Sequence, residues 1–239
     1  MAIADAGADV VIASRKLPEL EEAAKEISKT GRKVVPIATN VKNLEEIDSL
    51  VKQVMDKFGR IDILVNNAAT NPLFGPVFDF NEKAWDATMG LNLKGMFFLS
   101  VAVGKIMKEK GGGAIVNIAS EGGIHPGVGL GVYSISKAGV IMLTEVLAQE
   151  WGQYGIRVNG IAPGVIKTKF SEALWKDPVR AQATANNTAL GRLADPDEMA
   201  CCAVFMASDA ASYMTGQTVL LDGGFFASVQ TLLKGLDQK

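Results

Sequence analysis

A tyrosine and a lysine four residues apart form the pair in this sequence best suited to proton transfer. Tyr133 and Lys137 lie in one short run, and Ser120 precedes the tyrosine by thirteen residues. On a helix, positions i and i+4 share a face, so the phenol and the ammonium project together. A tyrosine ordinarily titrates near pH ~10, and a nearby cation favours the phenolate, which predicts a lowered pKa. With a serine to anchor a carbonyl oxygen, this set suits hydride chemistry on a carbonyl or an alcohol.

The elements that must position these side chains follow a regular alternation of short apolar runs and longer amphipathic segments. Strands are predicted at Val10–Ala13, Lys33–Ala38, Ile61–Val65, Ala114–Ala119, Ile156–Ile161 and Thr218–Leu221. Helices are predicted at Pro18–Lys29, Asn43–Phe58, 81–110, Tyr133–Tyr154 and Asp195–Ala207. Strands that are apolar throughout and separated by helices indicate a parallel sheet covered on both faces. The sequence therefore predicts a single α/β domain over residues 1–239 with a doubly wound, Rossmann-like parallel sheet.

Composition excludes several classes of function. The chain has 239 residues, 48% of them hydrophobic and 21% charged, which is typical of a globular protein. Its formal net charge of −2 gives no electrostatic reason to expect nucleic acid or an anionic membrane as a partner. No apolar run approaches the length expected of a membrane span. The first residues lack the basic segment of a secretory signal and the last three are not a peroxisomal tripeptide, so we expect a cytoplasmic protein.

Metal and disulfide chemistry have little support. Cys201 and Cys202 are adjacent, so they do not readily bridge and have no metal-binding spacing, and we expect two reduced residues in or near the core. His125 is the only histidine, and the carboxylates are scattered, so no metal site is predicted. A loop position without a catalytic duty is favoured for His125 over a contact with substrate.

Several segments, in this order along the chain, resemble the short-chain dehydrogenases/reductases. The segments are Asn66-Asn67-Ala68-Ala69, Asn92 in Leu91–Gly95, Ser120, Tyr133 with Lys137, Pro163-Gly164 and Asp222-Gly223-Gly224. The resemblance covers nearly the whole chain, and the ordered set is far more specific than a lone tyrosine and lysine. Within the family, the segments 70–75 and 164–171 are similar to NADP-dependent carbonyl and retinal reductases of peroxisomal type and to their bacterial relatives.

The resemblance implies catalytic roles for four residues. Tyr133 would be the general acid in reduction and the general base in oxidation. Lys137 would lower its pKa and bind the nicotinamide ribose, while Ser120 would hold the substrate carbonyl. Asn92 would anchor a water that links Lys137 to solvent; the alternative for Asn92 is a buried hydrogen bond that locks its helix.

The resemblance also implies where the cofactor lies. Its contacts are expected at the carboxyl ends of the strands, from Asn66, Ala68, Pro163, Gly164, Ile166 and Thr168, together with Tyr133 and Lys137. Ser14 and Arg15 follow the predicted strand Val10–Ala13, and neither is the acidic residue that binds a ribose 2′-hydroxyl. NADP(H) is therefore favoured over NAD(H). The alternative is that Arg15 is a surface arginine. Asn40-Val41 stands where the family usually has Asp-Val, so the adenine contact is expected to be weakened.

The family's first strand and glycine-rich turn have no counterpart in this sequence. The chain begins within what resembles the first helix, so roughly 20 to 25 residues of the family pattern are absent. That strand is internal in the usual order 3-2-1-4-5-6, so we expect unpaired edges on its neighbours and an apolar gap. Three explanations stay open: a start recorded too late, a truncation, or a natural fragment with another task; the first two are favoured.

Two functions from different classes therefore remain. The first is an NADP(H)-dependent oxidoreductase acting on a ketone, an aldehyde or a secondary alcohol. The second is a non-catalytic binding or assembly subunit, or an inactive fragment, because the phosphate-binding turn is missing. A homo-oligomer, dimer or tetramer, is implied by the resemblance alone.

The substrate loops leave further alternatives open. The segment Gly164–Leu193 is either a mobile lid or a solvated helical excursion. Phe170, Leu174 and Trp175 either form an apolar wall for substrate or pack as ordinary helix residues. The tail 225–239 either packs on a neighbouring subunit or frays.

Overall fold

The computed structural model describes residues 1–225, so the predictions for the tail lie outside the described residues except at Phe225. Six strands are described: β1 (Val10–Ser14), β2 (Val34–Ala38), β3 (Ile63–Asn66), β4 (Gly113–Ile118), β5 (Ile156–Pro163) and β6 (Thr218–Leu221). The α-helices of this part of the chain are α1 (Ala2–Asp5), α2 (Leu17–Ile27), α3 (Leu44–Phe58), α4 (Glu82–Met89), α5 (Met96–Lys110), α6 (Gly131–Trp151), α7 (Glu172–Trp175), α8 (Pro178–Ala185) and α9 (Pro196–Ala207). The predicted strands and long helices are confirmed, with their ends shifted by at most three residues.

All strands run parallel, but they form two separate pieces. β1 pairs with β2 in a two-stranded piece, and β3, β4, β5 and β6 follow one another in a four-stranded piece. Within residues 1–225 no strand joins β1 to β3, so each keeps one unpaired edge, as the sequence predicted. The parallel α/β architecture is confirmed, with the expected gap inside the sheet.

Helices cover both faces of the four-stranded piece. On one face α5 and α6 pack against β4 and β5, around a core that includes Met107, Ile115 and Val140. On the other face α9 contributes Met206 to a smaller cluster with Val116 and Ile161. These side chains belong to strands that are apolar on both sides, which explains why the sequence shows continuous apolar runs.

Local signals set the ends of the helices. The Asn43 side chain accepts a hydrogen bond from the Glu45 amide at 3.0 Å and begins α3, and Gly59 ends it with φ 71°. The Glu46 carboxylate accepts a hydrogen bond from the Asn40 amide at 2.7 Å. That bond ties the second residue after β2 to the first turn of α3.

The long helical region predicted at 81–110 is interrupted. A π-helical segment, Gly90–Gly95, separates α4 from α5 and contains Asn92. Such a segment changes the direction of the side chains that it holds and often occurs at functional sites. Gly95 within it packs directly on the backbone carbonyl of Val41, a position with no room for a side chain.

Two helical stretches are apolar enough, by length and composition, to cross a membrane. They span Glu82–Lys110 and Gly131–Tyr154, each with mean hydropathy 1.3. The expectation that no apolar segment approaches a membrane span was therefore wrong by this measure. Both stretches contribute buried residues to the core beside the sheet, which accounts for their hydropathy.

Candidate active site

The candidate site lies at the carboxyl ends of β4 and β5, where α6 begins. Ser120 follows β4 by two residues, and Tyr133 and Lys137 lie on the first turns of α6. A 3₁₀ turn, Glu121–Gly123, follows the serine. Gly123 packs directly on the backbone of Lys137, since a Cβ there would lie 2.6 Å from the Lys137 carbonyl carbon. This close contact brings the end of β4 against α6 and places the three predicted catalytic residues together.

The Tyr133 phenol lies beside the Ser120 hydroxyl, which lowers the pKa of the phenol. The serine oxygen accepts from the Gly122 amide at 3.1 Å, which orients the hydroxyl. Above the phenol lies Phe170, with ring centroids 6.0 Å apart and planes tilted by 35°. Phe170 therefore belongs to the wall of the site.

The pKa of Tyr133 is raised rather than lowered. Burial of the phenol is the main cause, the Ser120 hydroxyl lowers the pKa, and the Glu121 carboxylate raises it further. The expectation of a lowered Tyr133 pKa was therefore wrong for the structure described, because burial of the phenol raises it. Burial weakens the charged form of both partners, so the phenol stays protonated at neutral pH.

Lys137 is almost fully enclosed, with only 1% of its surface exposed. Its Nζ atom donates to the Ile118 carbonyl at 2.6 Å and lies 5.8 Å from the centroid of the Tyr133 ring. Burial lowers the pKa of this ammonium from its usual value to about 8. The end of β4 thus holds a poorly solvated amine beneath the phenol.

Asn92 joins the loop after β3 to α6. Its amide oxygen accepts from the Thr70 amide at 2.8 Å, and its nitrogen donates to the Thr70 carbonyl and to Ser136 Oγ, both at 3.0 Å. Ser136 Oγ in turn donates to the Tyr133 carbonyl at 2.7 Å. Both amide donors are therefore used within the protein, which matches the interpretation that this residue locks its helix. The water-anchoring role stays a prediction.

The residues expected at the nicotinamide end form a loop stabilised by its own contacts. Pro163 ends β5, and the Gly164 amide donates to the Leu221 carbonyl at 2.9 Å. Ser171 Oγ contacts the Ile166 carbonyl and lies 3.1 Å from Thr168 Oγ1.

Trp175 completes this loop by donating from its indole nitrogen to the Thr168 carbonyl at 2.9 Å. Its role is therefore packing of the loop, in contrast to Phe170. The segment continues as the short helices α7 and α8, in agreement with a helical excursion; motion of a lid is not tested by this structure.

The residues expected at the adenine end meet at the edge of the two-stranded piece. Ser14 ends β1 opposite Ala38, and its carbonyl accepts from the Thr39 amide at 2.8 Å. This pairing brings Ser14 and the exposed Arg15 beside Asn40 and Val41. The Asn40 side-chain oxygen accepts from the Lys42 amide at 3.2 Å, which leaves its NH₂ group as the part able to contact a base.

Asn66 is placed differently from the expectation. It ends β3, but its amide nitrogen donates into the core, to Ser100 Oγ and to Asn117 Oδ1, both at 2.9 Å. Asn117 continues the network to Thr144 Oγ1 at 3.0 Å. The Asn66 side chain therefore stabilises the interior, and a cofactor contact at this strand end is left to exposed Ala68 and the backbone. The signal that sequence reasoning missed is Asn117 itself, a polar residue in the middle of a buried apolar strand.

Glu121 is a second residue that sequence reasoning missed. Its Oε2 atom is buried and has no hydrogen-bond partner among the described residues. Burial, and then the charge of Asp222, raise the pKa of this carboxyl to about 7. Only its position directly after Ser120 could have indicated a role.

The described residues fit two ends of a nicotinamide dinucleotide. One end has a phenol, a serine hydroxyl and a buried amine beside the Ile166–Thr168 loop; the other has Arg15 and the Asn40 amide. Between them, residues 1–225 supply no glycine-rich turn opening a helix, so no cluster of backbone donors for the phosphates is seen in this range. The described residues therefore fit the nicotinamide and the adenine of such a cofactor, whereas residues 1–225 include no set of donors that fits its phosphates.

Metal ligands and cysteines contribute little to the site. Among the described residues, no group of three or more His, Cys, Asp or Glu side chains is placed to hold a metal ion. Both cysteines are free thiols; Cys202 is half-buried, in agreement with the expected position in or near the core, whereas Cys201 is exposed on α9. His125 lies on the exposed loop between Ser120 and Tyr133.

Comparison with known proteins agrees with this geometry. The family model described as enoyl-(acyl carrier protein) reductase matches residues 1–226. Dehydrogenase/reductase SDR family member 4 of Oryctolagus cuniculus is 40% identical over 222 residues, which are 93% of this chain and 85% of that protein.

Two solved structures show the same fold. A gluconate 5-dehydrogenase from Burkholderia cenocepacia J2315, in complex with NADP and tartrate, has a TM-score of 0.90 and 32% identity over 95% of this chain and 89% of its own. A 7α-hydroxysteroid dehydrogenase complexed with NADH and 7-oxo glycochenodeoxycholic acid has a TM-score of 0.89 and 32% identity over 93% and 86%. Because the match spans nearly the whole chain, this protein belongs to the short-chain dehydrogenase/reductase family of oxidoreductases acting on CH–OH groups.

Proposed function

We propose that this protein transfers hydride between NADP(H) and a ketone, an aldehyde or a secondary alcohol, with Tyr133 as the proton donor and acceptor. The observation that carries the proposal is the convergence of the Tyr133 phenol and the Ser120 hydroxyl, with the Lys137 amine buried beside them. Two hydroxyl groups meet at one point, so a substrate oxygen placed there receives hydrogen bonds from both. A buried amine at the same strand end adds the cation that such a site needs.

In the direction of reduction, a bound nicotinamide would supply the hydride for the carbonyl carbon. The protein's own residues bind and protonate the carbonyl oxygen. Ser120 donates a hydrogen bond to it, and Tyr133 gives it the proton that converts the alkoxide into an alcohol. The phenolate left behind is stabilised by the ammonium of Lys137 and regains its proton from solvent. Because burial keeps the phenol protonated at neutral pH, the resting site holds the proton that reduction requires.

The preference for NADP(H) is supported by the exposed Arg15 at the end of β1, where an acidic residue would repel a 2′-phosphate. Relatives of similar likeness are solved with NADP and with NADH, so the family alone favours neither cofactor. The small molecules bound in these two structures also differ widely, from tartrate to 7-oxo glycochenodeoxycholic acid. Loop residues around Phe170 therefore decide the substrate.

The comparisons lend no support to the second function predicted from the sequence, a non-catalytic binding or assembly subunit. Calorimetric titration of the chain with NADPH separates the two. Binding in the micromolar range supports the enzyme, whereas no measurable heat at millimolar cofactor supports the subunit.

Association into a homo-oligomer is supported by exposed apolar side chains on two long helices. Phe97 and Phe98 on α5, and Ile135, Met142 and Val146 on α6, are all partly open to solvent. Faces of this kind often mark protein–protein contacts. Light scattering after size-exclusion chromatography should report a dimer or a tetramer; a monomer across the micromolar range would contradict the proposal.

Loss of reduced nicotinamide absorbance with a panel of ketones and aldehydes tests the enzymatic function. Replacement of Tyr133 by Phe removes the proton and should reduce kcat/KM by roughly 10²- to 10⁴-fold. Tyr213→Phe is the matched control, because Tyr213 is fully exposed. A Tyr133→Phe protein that keeps the activity of the control would overturn the proposed role.

A further inference from the structure

The two pieces of the sheet are held beside each other across the gap between β1 and β3. On one face α1, which leads into β1, packs against α9, and on the other face α3 packs against α5. At the carboxyl ends of the strands, Gly95 packs on the Val41 carbonyl after β2, and Asn92 accepts from the Thr70 amide after β3 at 2.8 Å. Contacts on both faces and at one end therefore fix β1 relative to β3.

The polar backbone groups of β1 that face the gap follow from the alternation along the strand. The Val10 amide donates to the Lys33 carbonyl at 2.8 Å, and the Ser14 carbonyl accepts from the residue after β2 at 2.8 Å. Residues 10, 12 and 14 therefore point their N–H and C=O groups toward β2. Because these groups alternate between the two sides of a strand, Val11 and Ala13 point theirs into the gap.

The same reasoning identifies the groups of β3 that face the gap. The Ala114 amide donates to the Asp62 carbonyl at 2.9 Å, so residues 62, 64 and 66 point toward β4. Ile63 and Val65 therefore point their N–H and C=O groups into the gap. Within residues 1–225 no strand pairs with either of these edges, so the gap has donors and acceptors on both of its sides.

The outer edge of β2 is closed to a further strand, whereas the edges of the gap are open. The Thr39 amide donates to Ser14, so residues 35, 37 and 39 face β1, and Pro36 and Ala38 face outward. A proline on an outer edge has no N–H to donate and opposes the addition of another strand. The four residues that face the gap are not prolines, so each has an amide to donate.

The side chains along the gap are apolar and only half-buried. Residues 10–12 of β1 and 63–65 of β3 are aliphatic and partly exposed. In β4, which has strands on both sides, Ile115 and Val116 are 1% and 0% exposed. A strand between β1 and β3 would therefore cover apolar surface as well as pair backbone groups.

We propose that the gap between β1 and β3 binds one extended, apolar segment of a separate polypeptide, which adds to both edges as a strand. A strand can bond to two facing edges at once, because its own N–H and C=O groups alternate between its two sides. Five residues match the length of β1, and four match that of β3. Helices lie on both faces, so side chains on both sides of the added strand would be apolar.

Two synthetic peptides with blocked ends test the proposal. The first is Lys-Val-Val-Ile-Val-Val-Lys, and the control has proline in place of isoleucine, which removes a donor and disfavours an internal strand. Hydrogen exchange of the ¹⁵N-labelled protein is followed by NMR. The first peptide should slow exchange of the Val11, Ala13, Ile63 and Val65 amides by about tenfold or more, because each gains a hydrogen bond. The proline peptide should leave these rates unchanged.

Two matched substitutions locate the site on the protein. Ala13→Pro removes an amide that faces the gap, whereas Ala38→Pro removes one that faces the outer edge of β2, and both alanines are exposed. Binding of the fluorescein-labelled first peptide is measured by fluorescence anisotropy. The first substitution should weaken binding by about tenfold, and the second should leave it unchanged.

Three results would overturn the proposal. The first is equal slowing of exchange by both peptides, and the second is no slowing in a protein whose Ile115 and Val116 amides are protected, and which is therefore folded. The third is protection of the four gap-facing amides before any peptide is added, because another part of the chain or a second copy would then cover them. These measurements do not depend on reductase activity, so they stand or fall separately from the proposed function.

Discussion

The two pieces of the sheet differ in how much they bury and in what they offer a ligand. In the four-stranded piece, β4 buries Ala114 to Asn117 completely, and the site at its end is tied together by the bonds of Lys137 and Asn92. In the two-stranded piece, no residue of β1 is buried, and its end presents the exposed Ser14 and Arg15. The proposed catalytic residues thus lie in a well-packed region, and the proposed adenine end of the cofactor site lies in a poorly packed one.

This difference separates two requirements of an oxidoreductase. Proton transfer needs groups with perturbed pKa values, which burial produces. Cofactor binding needs backbone donors and an open crevice between strands. Changes in the first region should therefore affect catalysis strongly, and changes in the second should affect cofactor affinity.

The largest effect is expected from Lys137→Met in the well-packed region. Activity should fall roughly 10²- to 10⁴-fold, because the proton-transfer group loses its cation. Stability should rise at pH 7, by an amount on the order of 1 to 3 kcal/mol, because a buried charge is replaced by an apolar side chain of similar length.

The pH dependence of this gain follows from the pKa of Lys137. Its value of about 8 in the folded protein lies below its ordinary 10.5, so the unfolded chain binds the extra proton between these pH values. The wild type should therefore become more stable relative to Lys137→Met as the pH rises from about 8 to 10.5. Urea unfolding of both proteins at pH 7 and pH 10 measures the difference in their free energies of unfolding. A difference that is the same at both pH values would contradict the burial of a charged amine.

A smaller but broad difference is expected in hydrogen exchange. Amides of β2, which are bonded only to the exposed β1, should exchange about 10²-fold faster than those of β4 and β5, because the two-stranded piece opens at a lower free energy. Native-state exchange followed by mass spectrometry compares the peptides directly. Equal protection of β2 and β5 would show that the two pieces unfold as one unit and would remove the contrast.

The smallest effect is expected from Arg15→Glu at the edge of the two-stranded piece. KM for NADPH should rise about tenfold while KM for NADH changes little, since only the former carries a 2′-phosphate. Lys25→Glu on α2 is the control for a general change of charge in the same region. Equal changes for both cofactors would place the 2′-phosphate elsewhere.

The fold was largely predictable because it depends on patterns that a sequence displays openly. Continuous apolar runs located β4 and β5 to within two residues, and Asn43 and Asp195 marked the starts of α3 and α9. The spacing of Tyr133 and Lys137 identified one face of α6, and the structure brings Ser120 to it.

The features that could not be predicted depend on where a side chain points and on how deeply it is buried, rather than on the type of residue. The π-helical segment around Asn92 arises from a shift in backbone hydrogen bonding that the hydrophobic period does not record. The Asn66 side chain points into the core because it donates hydrogen bonds to Ser100 and Asn117. These three residues are far apart in the sequence, so no local pattern indicates that they meet. The raised pKa of Tyr133 and the buried oxygen of Glu121 likewise depend on burial, which no local motif specifies.

The central claim is that Ser120 and Tyr133 act together on one substrate oxygen, and a double-mutant cycle tests it most directly. kcat/KM for NADPH-dependent reduction is measured for the wild type, Ser120→Ala, Tyr133→Phe and the double variant. Residues that act as a unit are strongly non-additive, so the double variant should lie within about tenfold of Tyr133→Phe alone. Losses that simply multiply would show that the two hydroxyl groups act independently and would contradict the account.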